Sequence, residues 1–200
     1  MSGEADLVID LYRRKAGAWA AARDQRLTEK PWLDRFLSRL PQSARVLDLG
    51  CGSGAPIGRY LADQACRVTG VDSAPEMIDL FRQNLPDQEA VVSDMRTLAL
   101  QRRFDGVIAW DSFFHLSHEA QSAMFAVFMA HAEQNAALMF TSGPQHGEAL
   151  GRLAGEALYH ASLDGDVYRR RLTETGFKVI AQVTADPACG GRTIWLAQRD

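Results

Sequence analysis

The chain has 200 residues, 46% of them apolar and 24% charged, enough for one ordinary domain with its own core and unlike a disordered or repetitive polymer. Its net charge is −3, and no run of basic residues, Arg102–Arg103 and Arg169–Arg171 included, exceeds three, so nothing marks a nucleic-acid backbone as partner. Cys51, Cys66 and Cys189 lie far apart, leaving neither a zinc-type C-x-x-C pair nor a disulfide framework, as suits a reducing compartment. The opening run Met1–Asp6 is acidic, without the basic-then-apolar order of a signal peptide. No apolar run approaches the roughly 18 residues of a membrane-spanning helix. A cytoplasmic protein with no membrane association is therefore expected, organised as one domain over residues 1–200.

In chain order, residues 1–44 read as helices. Leu7, Val8, Leu11 and Tyr12 recur at helical spacing, as do Trp32, Leu33, Phe36, Leu37 and Leu40 after Pro31, until Pro41 stops the pattern. Residues 45–200 then alternate short apolar runs with helical stretches. Strands are expected at Val46–Leu49, Val68–Val71, Ala90–Val92, Phe104–Trp110, Ala137–Phe140, Phe177–Val183 and Thr193–Ala197. Between them, Ser73 with Glu76 has the spacing of a capping box, and Met124, Phe125, Phe128 and Met129 form an apolar helical face. A helix near Ser117 and one ending before Gly176 complete the set. Alternating strands and helices predict an α/β, Rossmann-like, mostly parallel sheet with helices on both faces. The link between the last two strands is too short for a crossover helix, so they should pair antiparallel.

The strongest local signal is Asp48-Leu49-Gly50-Cys51-Gly52-Ser53-Gly54-Ala55-Pro56, a glycine loop between strand and helix. Its spacing is G-x-G-x-G, not the G-x-G-x-x-G of dinucleotide sites, and Pro56 removes one helix N–H that a phosphate would use. A nucleoside ligand without a diphosphate suits it better. Asp72 ends the second strand about twenty residues on, where a carboxylate can accept both hydroxyls of a ribose. Asp94 follows the third strand and can accept from an exocyclic adenine amine. Ligands of such sheets bind at this carboxyl edge.

These stretches resemble the class I S-adenosylmethionine-dependent methyltransferases. VLDLGCGSGAP is similar to that family's first motif, VTGVDSAPEMI to its second, VVSDMRTL to its third and FDGVIAWDSFFHL to its fourth. The resemblance implies seven strands in the order 3-2-1-4-5-7-6, strand 7 antiparallel. It implies that Asp48, Gly50, Cys51 and Gly52 line the methionine moiety of the cofactor, and that Gly54 allows close helix packing. Asp72, with Ser73 beside it, would hold the ribose, Met77 would pack near the adenine, and Asp94 with the Met95 backbone would take the adenine amine. The main chain at Ala109 or Trp110 would receive the methionine amino group. The implied reaction is in-line transfer of the sulfonium methyl to a small-molecule acceptor, leaving S-adenosylhomocysteine.

Asp111, Phe113, Phe114 and His115 follow the fourth strand and should face the methyl group, with Asp111 and His115 as candidate catalytic groups. His115 could equally pack beside Phe114 or cap the following helix. Tyr12, Trp19 and Arg23 are the expected contributions of the N-terminal helices, with Arg23 a partner for the cofactor carboxylate. The segment from Ser142 to Leu163 is long for a connection and reads as a lid, its glycines hinges and His146, Tyr159 and His160 acceptor contacts. The histidines lack i, i+4 spacing, so no metal is expected. A nicotinamide-dependent oxidoreductase and a non-catalytic methyltransferase-like scaffold remain the alternative readings.

Overall fold

A computed structural model describes residues 4–23 and 26–200; Met1–Gly3 of the acidic opening run lie outside the described residues. Two helices, α1 (Glu4–Ala22) and α2 (Lys30–Leu37), precede the sheet. The strands and helices that follow are β1 (Arg45–Leu49), α3 (Ile57–Asp63), β2 (Arg67–Asp72), α4 (Pro75–Asn84), β3 (Glu89–Val92), β4 (Phe104–Ala109), α5 (His118–His131) and β5 (Ala132–Ser142). A hairpin, β6 (Gly147–Leu153) and β7 (Glu156–Ser162), comes next, then α6 (Gly165–Glu174), β8 (Phe177–Asp186) and β9 (Arg192–Arg199).

Seven strands form one sheet in the order β3-β2-β1-β4-β5-β9-β8. β3, β2, β1, β4 and β5 pair in parallel, and β9 runs antiparallel to both β5 and β8. This is the expected order, with β8 and β9 as the sixth and seventh strands of the sheet.

Side-chain alternation along the central strands builds two cores. Leu47, Val107, Leu138, Phe140 and Trp195 face one side, where Phe125 and Phe128 of α5 and Tyr168 and Leu172 of α6 cover them. Val46, Ile108, Met139, Ile194 and Leu196 face the other, under Trp32, Leu33 and Phe36 of α2, Leu61 of α3 and Phe81 of α4. Strands apolar on both faces are what a parallel sheet between two helical layers requires.

Three local expectations are corrected. The segment Ser142–Leu163 is not an irregular loop. It is the β6–β7 hairpin, turned by Ala154 and Gly155 at φ +48° and +86°, two consecutive positive values as in a type I′ turn. It buries its apolar side against α1, where Val8 and Leu11 pack with Leu158, Tyr159 and Ala161. Ser73 caps nothing: Ala74 precedes α4, and Asp72 Oδ1 accepts its N–H at 2.9 Å. Leu7 and Met129 are exposed, each on the outer flank of its helix. Ser117 does cap α5, its hydroxyl oxygen accepting from the Ala120 N–H.

Candidate active site

The carboxyl ends of β1, β2, β3 and β4 meet beneath α1. There β1 runs directly into the glycine loop, with Gly50 at φ +73° and Gly52 at φ +53°, a backbone region costly for any side chain. A Cβ at Gly50 would lie 2.3 Å from that of Ser112, and one at Gly52 would lie 2.9 Å from the Trp19 ring. Gly54 instead lets Phe81 and Leu85 close on the loop from α4. Asp72 fixes the loop, its Oδ2 accepting the Gly52 N–H at 3.0 Å. Ser112, unmarked in the sequence, donates its hydroxyl to the Leu49 carbonyl at 2.6 Å and so braces β1 against the end of β4.

An inner cavity follows this loop. Asp48, Gly50, Cys51, Gly52, Asp72, Ser73, Met77, Asp94, Met95, Trp110, Asp111 and His115 all line it, so the structure brings the expected inner residues together. Burial, reinforced by the charge of Asp72, pushes the Asp48 carboxyl up to about 7. Burial likewise raises Asp72, against the backbone N–H groups it accepts from. Burial also pushes the Cys51 thiol well up, which removes it as a nucleophile at neutral pH. At Asp94 burial is outweighed by Arg96, whose Nε and Nη2 donate to the carboxylate at 2.7–3.1 Å and hold it below the usual range. Arg96 also reaches Asp6 of α1 at 2.8 Å, tying the roof to the rim.

A second, outer cavity of about 780 Å³ lies between β7, α1 and the β8–β9 connection. It falls within the size range of small-molecule sites. Phe114, His146 and His160 line it, the His160 ring 5.0 Å from Phe114 and 4.9 Å from His115. His146 stacks on His118 at 4.5 Å. Tyr159 is the exception among the expected contacts. Its ring packs with α1, and its hydroxyl donates to Glu148 at 2.7 Å. His160 lines the cavity, while the neighbouring Tyr159 side chain packs against α1.

Tyr12, Trp19, Arg23, Asp111 and His115 line both cavities and so form a wall common to the two. The His115 ring is 7% exposed, and Nδ1 sits 2.9 Å from the Tyr159 carbonyl, which can only accept. Nδ1 therefore carries the hydrogen, and Nε2 accepts the Tyr12 hydroxyl at 3.0 Å. Burial lowers the imidazole to about 4, so it is neutral at pH 7. Asp111, expected as a second catalytic group, is instead bound by Arg192, with Nε at 2.8 and 2.9 Å and Nη2 at 2.6 Å. A carboxylate engaged in this way is held in place as part of the wall between the cavities. Arg23 likewise pairs with the fully buried Glu29 at 2.5 Å. No group of three or more metal-ligating side chains occurs among the described residues.

The methyltransferase domain family model matches residues 46–135, the stretch from β1 into β5 that supplies the glycine loop and both acidic strand ends. Over this stretch, a little under half of the chain, the protein resembles a methyltransferase domain. Among curated relatives, it is 36% identical over 93 residues to dTDP-3-amino-3,6-dideoxy-alpha-D-glucopyranose N,N-dimethyltransferase of Streptomyces fradiae, covering 46% of this chain and 36% of that one. It is 38% identical over 88 residues to magnesium-protoporphyrin O-methyltransferase of Rhodobacter capsulatus, covering 40% of this chain and 38% of the relative. The chain thus spans under two fifths of the length of these relatives. Solved folds match throughout. Magnesium protoporphyrin IX methyltransferase from Synechocystis PCC 6803, solved with S-adenosylmethionine, has a TM-score of 0.76 at 19% identity, covering 100% of this chain and 99% of that one. An amino pentose methyltransferase from Micromonospora echinaspora, also solved with S-adenosylmethionine, gives 0.73 at 22% identity, covering 94% and 96%. No helix among the described residues is long and apolar enough to cross a membrane.

Proposed function

We propose that this protein is an enzyme that transfers a methyl group from S-adenosylmethionine to a small-molecule acceptor by in-line displacement, releasing S-adenosylhomocysteine. One observation carries the reading: a nucleoside-type cavity and a larger outer cavity share the Tyr12, Trp19, Arg23, Asp111 and His115 wall. A group transferred between two ligands needs two sites that adjoin in this way. The nicotinamide and scaffold readings gain no support, since the matched family and relatives are methyltransferases.

The inner residues fit the cofactor. Bare backbone at Gly50 and Gly52 lines the cavity where a Cβ would collide with Ser112 or Trp19, and carboxylates stand at the ends of β2 and beyond β3. In this reading Asp48, Gly50, Cys51 and Gly52 hold the methionine part, Asp72 and Ser73 the ribose, Met77 the adenine face, and Asp94 with the Met95 backbone the adenine amine. The Trp110 main chain takes the methionine amino group. When bound, S-adenosylmethionine supplies a methyl group already activated on its sulfonium.

The chain's own part is orientation and exclusion of water. Helix α1 roofs the inner cavity, held by Val8 and Leu11 against the hairpin and by Ala16 against Ala74 and Met77. Tyr12 donates to His115, so the lone pairs of its phenolic oxygen are left to hold an N–H or O–H of the acceptor. Because His115 is a weak base, the arrangement favours an acceptor atom with a free lone pair at neutral pH. Phe114, His146 and His160 provide the acceptor wall. The protein acts as one unit over residues 1–200, in the cytoplasm, on free small molecules; the net charge of −3 supports the exclusion of polynucleotides. The test is turnover of methyl-labelled S-adenosylmethionine against pools of small-molecule extracts. Label should enter a small acceptor with wild type and not with Asp72→Ala; no acceptor labelled in any pool would defeat the proposal.

A further inference from the structure

Nε1 of Trp110 is one of two buried side-chain polar atoms that find no hydrogen-bond partner among the described residues. An indole N–H can only donate, and a buried donor without an acceptor is rare enough in folded proteins to require an explanation. Trp110 is 5% exposed and lines the inner cavity but not the outer one. Its ring belongs to the core cluster that also includes Cys51 of the glycine loop and Ile57 at the start of α3, both on the wall of the same cavity. The other buried tryptophans are satisfied: Trp32 of α2 donates to Asp186 at 2.8 Å and Trp195 of β9 to Ser142 at 3.1 Å.

We infer that the Trp110 indole N–H is a binding group for the carboxylate of the cofactor's amino-acid moiety. This rests on the proposed cofactor. The proposed function assigns the ribose and adenine to Asp72, Met77, Asp94 and the Met95 backbone, which leaves the cofactor's amino-acid moiety for the wall that Trp110 shares with Cys51 and Ile57. Of the groups that remain on the amino-acid moiety, the ammonium is a donor and cannot satisfy another donor. The carboxylate can, and a hydrogen bond to an ionised acceptor is among the stronger kinds. The side chain thus adds a contact beyond the main-chain role expected for this position.

The experiment compares two ligands on wild type and on Trp110→Phe by calorimetry: S-adenosylhomocysteine, and its decarboxylated analogue, which lacks only the carboxylate. Trp110→Phe should weaken S-adenosylhomocysteine roughly tenfold and the analogue less than about twofold. Equal weakening of both would mean a packing role and overturn the inference, as would no weakening of either. A second readout uses wild-type protein with 15N-labelled indoles. The Trp110 Nε1–H resonance should move downfield with S-adenosylhomocysteine and stay in place with the decarboxylated analogue; a resonance unmoved by both overturns the inference even if the variant does not fold. Failure of wild type to bind S-adenosylhomocysteine at all would refute the cofactor itself, an outcome distinct from these.

Discussion

Replacing His115 by Gln should make the protein more resistant to acid, because the native fold holds this imidazole neutral. Its ordinary value of 6.5 falls to about 4, first through burial and further through His160, against the Tyr159 carbonyl that accepts from Nδ1. The unfolded chain therefore takes up the proton first as pH falls. Stability contributed by the neutral ring is complete above about pH 6.5 and is lost progressively as pH drops towards 4. The gap from 6.5 to about 4, at about 1.4 kcal/mol for each pH unit, amounts to about 3 kcal/mol by pH 4. A glutamine amide can donate to the Tyr159 carbonyl and accept from Tyr12 without titrating. Urea unfolding of wild type and His115→Gln at several values between pH 7 and 4 gives the difference directly. Taking the difference matters, since Asp48, raised to about 7, has the opposite sign: its native carboxyl gains the proton first, adding stability as pH falls from 7. That contribution is common to both proteins and cancels. The wild-type curve should fall relative to the variant by about 3 kcal/mol between pH 7 and 4; parallel curves would refute the buried, neutral assignment of His115.

Three further outcomes are expected. Gly52→Ala places a Cβ 2.9 Å from the Trp19 ring at a φ of +53°, so calorimetry should show S-adenosylhomocysteine bound at least about tenfold more weakly; unaltered affinity would mean that the loop does not hold the cofactor. Asp72→Ala removes both the proposed ribose acceptor and the brace on the Gly52 and Ala74 N–H groups, and should weaken cofactor binding by about 2–3 kcal/mol, read from the same titration. With an acceptor in hand, Phe114→Ala and His160→Ala should raise its KM while sparing cofactor affinity, whereas Tyr159→Phe, which removes a hydroxyl that donates to Glu148, should leave acceptor KM unchanged. A raised KM in Tyr159→Phe alone would reverse the assigned facing of β7.

The sheet was legible because its strands are short aliphatic runs between turn residues, and because Val46–Leu49 and Phe104–Trp110 are apolar on both faces, as parallel central strands must be. The inner cavity was legible for a related reason: its residues sit at strand ends, and the sequence positions of strand ends are easy to find. The hairpin was not. Most of β6 is exposed, and β7 buries its apolar side on α1, more than 140 residues away along the chain, as the Arg14–Glu156 pair also shows. Ala154–Gly155 was the one local signal, weaker than Asn-Gly because alanine seldom takes a positive φ. Distance along the chain also hid what surrounds Asp111. Arg192 is 81 residues away, and no periodicity announces that the carboxylate is already paired. Ser112 and Glu29 were invisible for the same reason, since nothing nearby marks a serine that braces another strand or a fully buried glutamate held by Arg23.

Titration of the wild-type protein with S-adenosylhomocysteine, with NADH as comparison, tests the central claim most directly. Asp72 and Asp94 beside a G-x-G-x-G loop predict one site per chain, micromolar affinity for S-adenosylhomocysteine and no displacement by NADH. Absence of binding at millimolar S-adenosylhomocysteine, or competition from NADH for the same site, would contradict the account.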